Sequence, residues 1–147
     1  MNQGASGIEL GTSLGYLMKE VASALRAAME AVLRPLGMSV THYSCLELLA
    51  QRPGLSNSEL ARGTFVTRQA MNVLLQALEA DGLVTRSAQP ASGRALPTQL
   101  TAAGRAQLAT ASAAVKGVED RMKSHLSPKD QDALRAMLST CAASLRA

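Results

Sequence analysis

The chain reads as a mainly helical protein with one small two-stranded hairpin. Three observations predict this. Apolar residues recur at three- and four-residue steps along most of the 147 residues. Ser, Thr, Gly and Pro stand where those stretches should begin and end. The helical spacing fails only between residues 83 and 100, where β-prone residues flank a stretch rich in Ala, Ser, Gly and Pro.

Each element follows from its residues. From about Ile8 to Leu33 the spacing predicts one long helix, with Leu14, Leu17, Val21, Leu25, Ala28 and Val32 on one stripe. Pro35 and Gly37 end it. Ser39 caps a second helix that runs to about Gln51 and stops at Arg52-Pro53-Gly54. Ser56 and Glu59 form a capping box that opens a short third helix, fading at Gly63. Thr67 caps a fourth, which runs to Ala80 with Met71, Leu74, Leu75 and Leu78 as its buried stripe. Gly82 suits the left-handed turn that follows. Leu83–Arg86 and Thr98–Leu100 are expected to pair as short strands, with Gln89 to Arg94 at the tip. Helix resumes near Thr101 and continues to about Leu126. Ser127 caps the last helix, Pro128 takes its first position, and Leu134, Leu138, Cys141 and Leu145 form a heptad-like seam.

Composition narrows the function. With 47% hydrophobic and 18% charged residues, the chain is expected to fold rather than stay disordered. Aromatics are 2% and Trp is absent, which argues against a stacking platform for single-stranded nucleic acid. No apolar run reaches the ~18–20 residues of a membrane span. The opening MNQGASGIELG lacks the features of a secretory signal, so a cytoplasmic location away from membranes is expected. Cys45 and Cys141 lie far apart, which fits a reducing compartment better than a disulfide framework. No His, Cys, Asp and Glu set has metal-ligand spacing, so no metal or cofactor is expected. Phosphate-binding glycine loops and nucleophile elbows are also missing, so the chain is not expected to be an enzyme.

Charge placement points to a partner. The net charge is +4, and between residues 62 and 105 five arginines (Arg62, Arg68, Arg86, Arg94, Arg105) face only Glu79 and Asp81. In that region two helices are joined by the tight Gly63–Val66 connection, and a hairpin follows at once. This is the winged helix-turn-helix plan. Its second helix enters a major groove of double-stranded DNA, and its hairpin reaches phosphates or the minor groove. The candidate DNA-contacting residues are Thr67, Arg68, Gln69 and Asn72 at the start of the fourth helix, Arg86 on the first strand and Arg94 at the tip. Arg pairs with guanine, and Asn or Gln with adenine. Thr67 suits a helix cap better than a base reader. The terminal stretches 8–34 and 117–147 carry long apolar stripes, which a monomer would leave exposed, so they are expected to be dimerisation helices around a winged region at 38–104. A two-fold dimer would set two recognition helices ~34 Å apart, one turn of DNA.

The run from Leu36 to Gly104 resembles the MarR family of bacterial transcription regulators. Leu78-Glu79-Ala80-Asp81-Gly82-Leu83-Val84 and Leu100-Thr101-Ala102-Ala103-Gly104 are its most specific phrases, and the flanking helices extend the resemblance over nearly the whole chain. The resemblance implies a homodimeric repressor on a palindromic operator, released by small phenolic or lipophilic effectors or by oxidants. Arg94 resembles the wing arginine of that family. The family's acid-rich wing is replaced here by Gln89, Ser92 and Gly93, and basic residues along the recognition helix by Val73 and Ala77. The resemblance also places an effector site near the first, second and fifth helices, which implicates His42 and Tyr43, with Ser13, Tyr16 and Cys45 beside them. Two other readings compete. One is a winged-helix protein-interaction module with little DNA binding. The other is a thiol redox sensor built on Cys45, whose neighbour His42 could favour a thiolate.

Overall fold

A hydroxyl side chain sets every α-helix start among the described residues, 7–86 and 97–147 of the computed structural model. Ser13, Ser39, Ser56, Thr67, Thr101 and Ser127 each accept a hydrogen bond from the backbone N–H three residues on, opening α1 (Leu14–Leu33), α2 (Val40–Gln51), α3 (Asn57–Thr64), α4 (Arg68–Ala80), α5 (Ala102–Met122) and α6 (Pro128–Arg146). A single 3-10 turn, Arg34–Leu36, closes α1, and Gly37 follows in the left-handed conformation at φ 72°. At α3 the capping box is complete, because Glu59 also accepts from the Ser56 N–H.

Two boundaries differ from the sequence reading. α1 begins at Leu14 rather than near Ile8. The Ser13 hydroxyl takes the Tyr16 N–H at 3.2 Å, and the residues before it close a separate turn from Thr12 N–H to the Glu9 carbonyl. α5 ends at Met122 rather than Leu126, because the chain tightens into a turn closed by Leu126 N–H on the Lys123 carbonyl before the Ser127 cap.

β1 (Val84–Arg86) pairs antiparallel with β2 (Thr98–Leu100), with Val84 opposite Leu100, Thr85 opposite Gln99 and Arg86 opposite Thr98. The expected strands are therefore present. The expected tip, Gln89 to Arg94, lies outside the described residues.

The core gathers on α2. Cys45 and Leu46 are fully buried there, packed with Leu33, Leu60, Met71, Leu75, Leu78 and Val84. Each fully buried Leu contributes ~1.5–3 kcal/mol of transfer free energy. α5 lies against both α1 and α2, while α3 and α4 pack on each other. The ends of the chain behave differently. α6 buries no residue, and Leu134, Met137, Leu138 and Leu145 are exposed, as are Leu14 (71%) and Val21 (54%) on α1. Cys141, expected within a packed seam, is exposed in the single chain. No helix among the described residues is long and apolar enough to cross a membrane.

Candidate nucleic-acid interface

The turn between α3 and α4 fixes how the second helix is presented. Phe65 closes α3 at φ 61°, the left-handed region, and its side chain is 86% exposed. Thr64 anchors the turn from inside by donating its hydroxyl to the Leu60 carbonyl at 2.7 Å. Thr67 then caps α4 through the Ala70 N–H at 3.1 Å. Its oxygen is committed to the helix, as its position suggested.

Burial of Met71, Leu75 and Leu78 fixes the rotation of α4 about its axis. Steps of 100° from that stripe put Gln69, Val73 and Gln76 at the centre of the outward face. All three are exposed. Arg68 and Asn72 fall on the flank nearest α3 and are engaged there. Arg68 Nε donates to Ser58 Oγ at 2.8 Å, and Asn72 Oδ1 accepts from Asn57 Nδ2. Of the four residues expected on this helix, only Gln69 therefore holds the centre of the free face. Val73 and Gln76 are the residues that sequence reasoning passed over. Helical rotation counted from the apolar stripe would have found them.

The hairpin root is clamped to the following helix. Thr101 donates its hydroxyl to the Gly82 carbonyl at 2.6 Å and its N–H to the Leu83 carbonyl at 3.1 Å. Arg86 is half-buried on β1, and its Nε and Nη2 make no hydrogen bond to a described residue. Arg94 lies outside the described residues.

The expected effector residues separate into different environments. Ser13 is used as the α1 cap and Tyr16 is exposed beside it. His42 and Tyr43 face α5. His42 Nε2 meets Gln107 Oε1 at 3.2 Å, and burial holds the imidazole below its ordinary pKa. Tyr43 Oη donates to Glu47 at 2.6 Å, and burial first, then Glu47, pushes the phenol up. Cys45 is 0% exposed, with its thiol 3.9 Å from the Met71 sulfur, and burial pushes it up to about 12. That corrects the expectation of a His42-assisted thiolate, since the cysteine is a core residue out of reach of solvent. None of the five lines either of two surface clefts among the described residues. One is about 540 Å³, beside Leu48, Arg52, Leu55, Arg62, Phe65 and Arg146. The other is about 410 Å³, beside Glu30, Arg34, Met38 and Val40.

Comparison with known proteins meets this geometry. The family model described as MarR family matches residues 36–95. The HTH-type transcriptional repressor Rv2887 of Mycobacterium tuberculosis is 45% identical over 125 residues, 85% of this chain and 90% of the relative. The crystal structure of that protein with DNA aligns at TM-score 0.72 and 40% identity, covering 88% of this chain and 98% of the other. Its complex with salicylic acid aligns at TM-score 0.73 and 43% identity, covering 88% and 96%. The chain belongs to the MarR family of winged helix-turn-helix transcriptional regulators.

Proposed function

We propose that this protein is a cytoplasmic, homodimeric repressor that holds a palindromic operator and is released by a small phenolic or lipophilic effector. It acts by binding, without catalysis. The exposed, hydrogen-bonding face at the start of α4, presented by a capped helix-turn-helix, carries the DNA reading. The repressor reading is supported by a relative named as a repressor, at 45% identity over nearly its whole length. The dimer is supported by the apolar residues that α1 and α6 leave in water. The effector class is supported by the salicylic acid complex of that relative. Its site is assigned to the faces of α1, α2 and α5, with His42 and Tyr43, which meet α5, as its wall; Ser13 and Tyr16 stand apart from them at the exposed start of α1. Cys45 supports the packing behind it. Arg68, Asn72, Arg86 and Arg94 supply positioning and phosphate contacts, while Thr67 directs the helix N-terminus toward a phosphate.

Fluorescence anisotropy on a duplex selected by the protein from a random pool, against a scrambled duplex across a salt series, tests this reading. The selected duplex binds more tightly, and log K falls against log salt by about 0.9 per phosphate contact. Equal binding to both duplexes would support the protein-interaction module instead. Light scattering at micromolar protein is expected to give the dimer mass. Arg94→Ala should weaken binding to both duplexes, as loss of a phosphate or minor-groove cation does.

A further inference from the structure

We infer that α4 reads A·T base pairs, with Val73 seated on a thymine C5-methyl group and Gln69 and Gln76 hydrogen-bonding adenine on either side. This rests on the DNA-binding reading above. Three observations carry it. First, Val73 is 63% exposed, four residues after Gln69 and three before Gln76, so the three form one outward row spanning about two turns. Second, that row holds no charge. The charged residues of α4 are Arg68, which is tied to Ser58, and Glu79 near its far end. The residue type most suited to guanine is thus held at the α3 flank, outside the row. Third, an isopropyl group in a major groove offers no hydrogen bond. Over a G·C pair it would cover guanine O6 or cytosine N4 without a partner, which costs affinity. The apolar group a base edge presents there is the thymine methyl, and the Gln side chain matches adenine N6 and N7 in two-pronged fashion.

Selection from a random duplex pool followed by methyl deletion tests this. Each thymine of the selected half-site is replaced singly by deoxyuracil, which removes only the C5-methyl. With the wild-type protein, one position per half-site is expected to lose about four-fold in affinity, the value of one buried methyl-sized group. Val73→Ala should show that loss on the thymine duplex and no further loss on the uracil duplex. Val73→Thr, which keeps one methyl, should fall between them. A selected half-site with G·C pairs under α4 would overturn the inference, as would uracil substitution that costs nothing. Uracil sensitivity that survives Val73→Ala would overturn it too. If the pool yields no preferred sequence, the DNA-binding reading beneath it fails instead, so the two failures are told apart.

Discussion

Gly104→Ala is the sharpest test of how the hairpin is held. Gly104 is the third residue of α5, where helix propensity alone favours Ala over Gly by up to ~1 kcal/mol. The structure predicts the opposite sign. A Cβ built on Gly104 falls well inside the contact distance of the Leu83 carbonyl oxygen, 3.1 Å from the Leu83 carbonyl carbon and 3.3 Å from Leu100 Cδ2. The clashing oxygen is backbone, and it already accepts the Thr101 N–H at 3.1 Å, so it cannot swing aside like a side-chain end. Relief requires α5 to retreat from the hairpin root by about 1 Å, which breaks that hydrogen bond and loosens Leu100. Overpacking costs typically 1–3 kcal/mol, and a backbone clash belongs at the top of that range, about 3 kcal/mol. For a protein of this size each kcal/mol moves Tm by ~2–4 °C, so a fall of ~6–12 °C is expected. Thermal melting followed by circular dichroism, at one fixed protein concentration because a dimer's Tm depends on it, reads this directly. Gly63→Ala is the internal control. Its Cβ would meet Leu48 Cδ1 at 2.7 Å, the free end of a flexible side chain, so its Tm should move by no more than ~3 °C. A Gly104→Ala protein melting at or above the wild-type temperature would refute the close-approach argument.

Three further outcomes are expected. Alkylation of the native protein at neutral pH should leave Cys45 unmodified in peptide mass spectra, because a thiol pushed up to about 12 is ionised at only about one part in 10⁵ and is also sealed in the core; rapid labelling of Cys45 would restore the redox reading. Stability should fall as pH drops below the ordinary His value of 6.5, since burial keeps folded His42 neutral while the unfolded chain takes up the proton; His42→Gln should flatten that part of the denaturant-midpoint profile, and an unchanged slope would place its origin elsewhere. Ser56→Ala should cost about 1 kcal/mol in urea unfolding by dismantling the α3 capping box, and a loss under a few tenths would show that tertiary packing alone holds that helix start.

Local signals in the sequence were read well because they act locally. Ser39, Ser56, Thr67 and Ser127 cap the helices they were expected to cap, since a hydroxyl three residues before a free N–H needs no tertiary help. The same rule explains the misplaced start of α1. Ile8 and Leu10 prolong an apolar pattern, but periodicity does not register that the Ser13 side chain has already begun the helix. The α4 surface was harder. Arg68 and Asn72 have the chemistry of base readers, yet the rotation imposed by Met71, Leu75 and Leu78 turns them toward Ser58 and Asn57. That rotation was legible from the apolar stripe; the presence of hydrogen-bonding partners on α3 was not. The fate of Cys45 was also a matter of packing. Its neighbours on α2 alternate between buried and half-buried, and contact with Met71, 26 residues away, decides its side.

The hydrogen bonds at the hairpin root also limit how an effector signal can reach DNA. The end of α4 is locked to the chain that follows it, because Leu83 N–H donates to the Leu78 carbonyl at 2.9 Å and Gly82 N–H to Glu79 at 3.0 Å. Thr101 and Gly104 then lock Gly82 and Leu83 to the start of α5. These contacts tie α4, the hairpin root and the first turn of α5 into one unit. That unit is tied to α2 by the His42–Gln107 contact and by the packing of α5 on α2 and α1. For the effector site proposed above, binding between α1, α2 and α5 would not need to unfold or hinge α4. A small tilt of α5 would carry the recognition helix and the hairpin root with it, and in a dimer two such tilts would change the distance between recognition helices. A ligand with higher affinity for the tilted pair lowers operator affinity by the ratio of its two binding constants, and bound operator lowers effector affinity by the same factor.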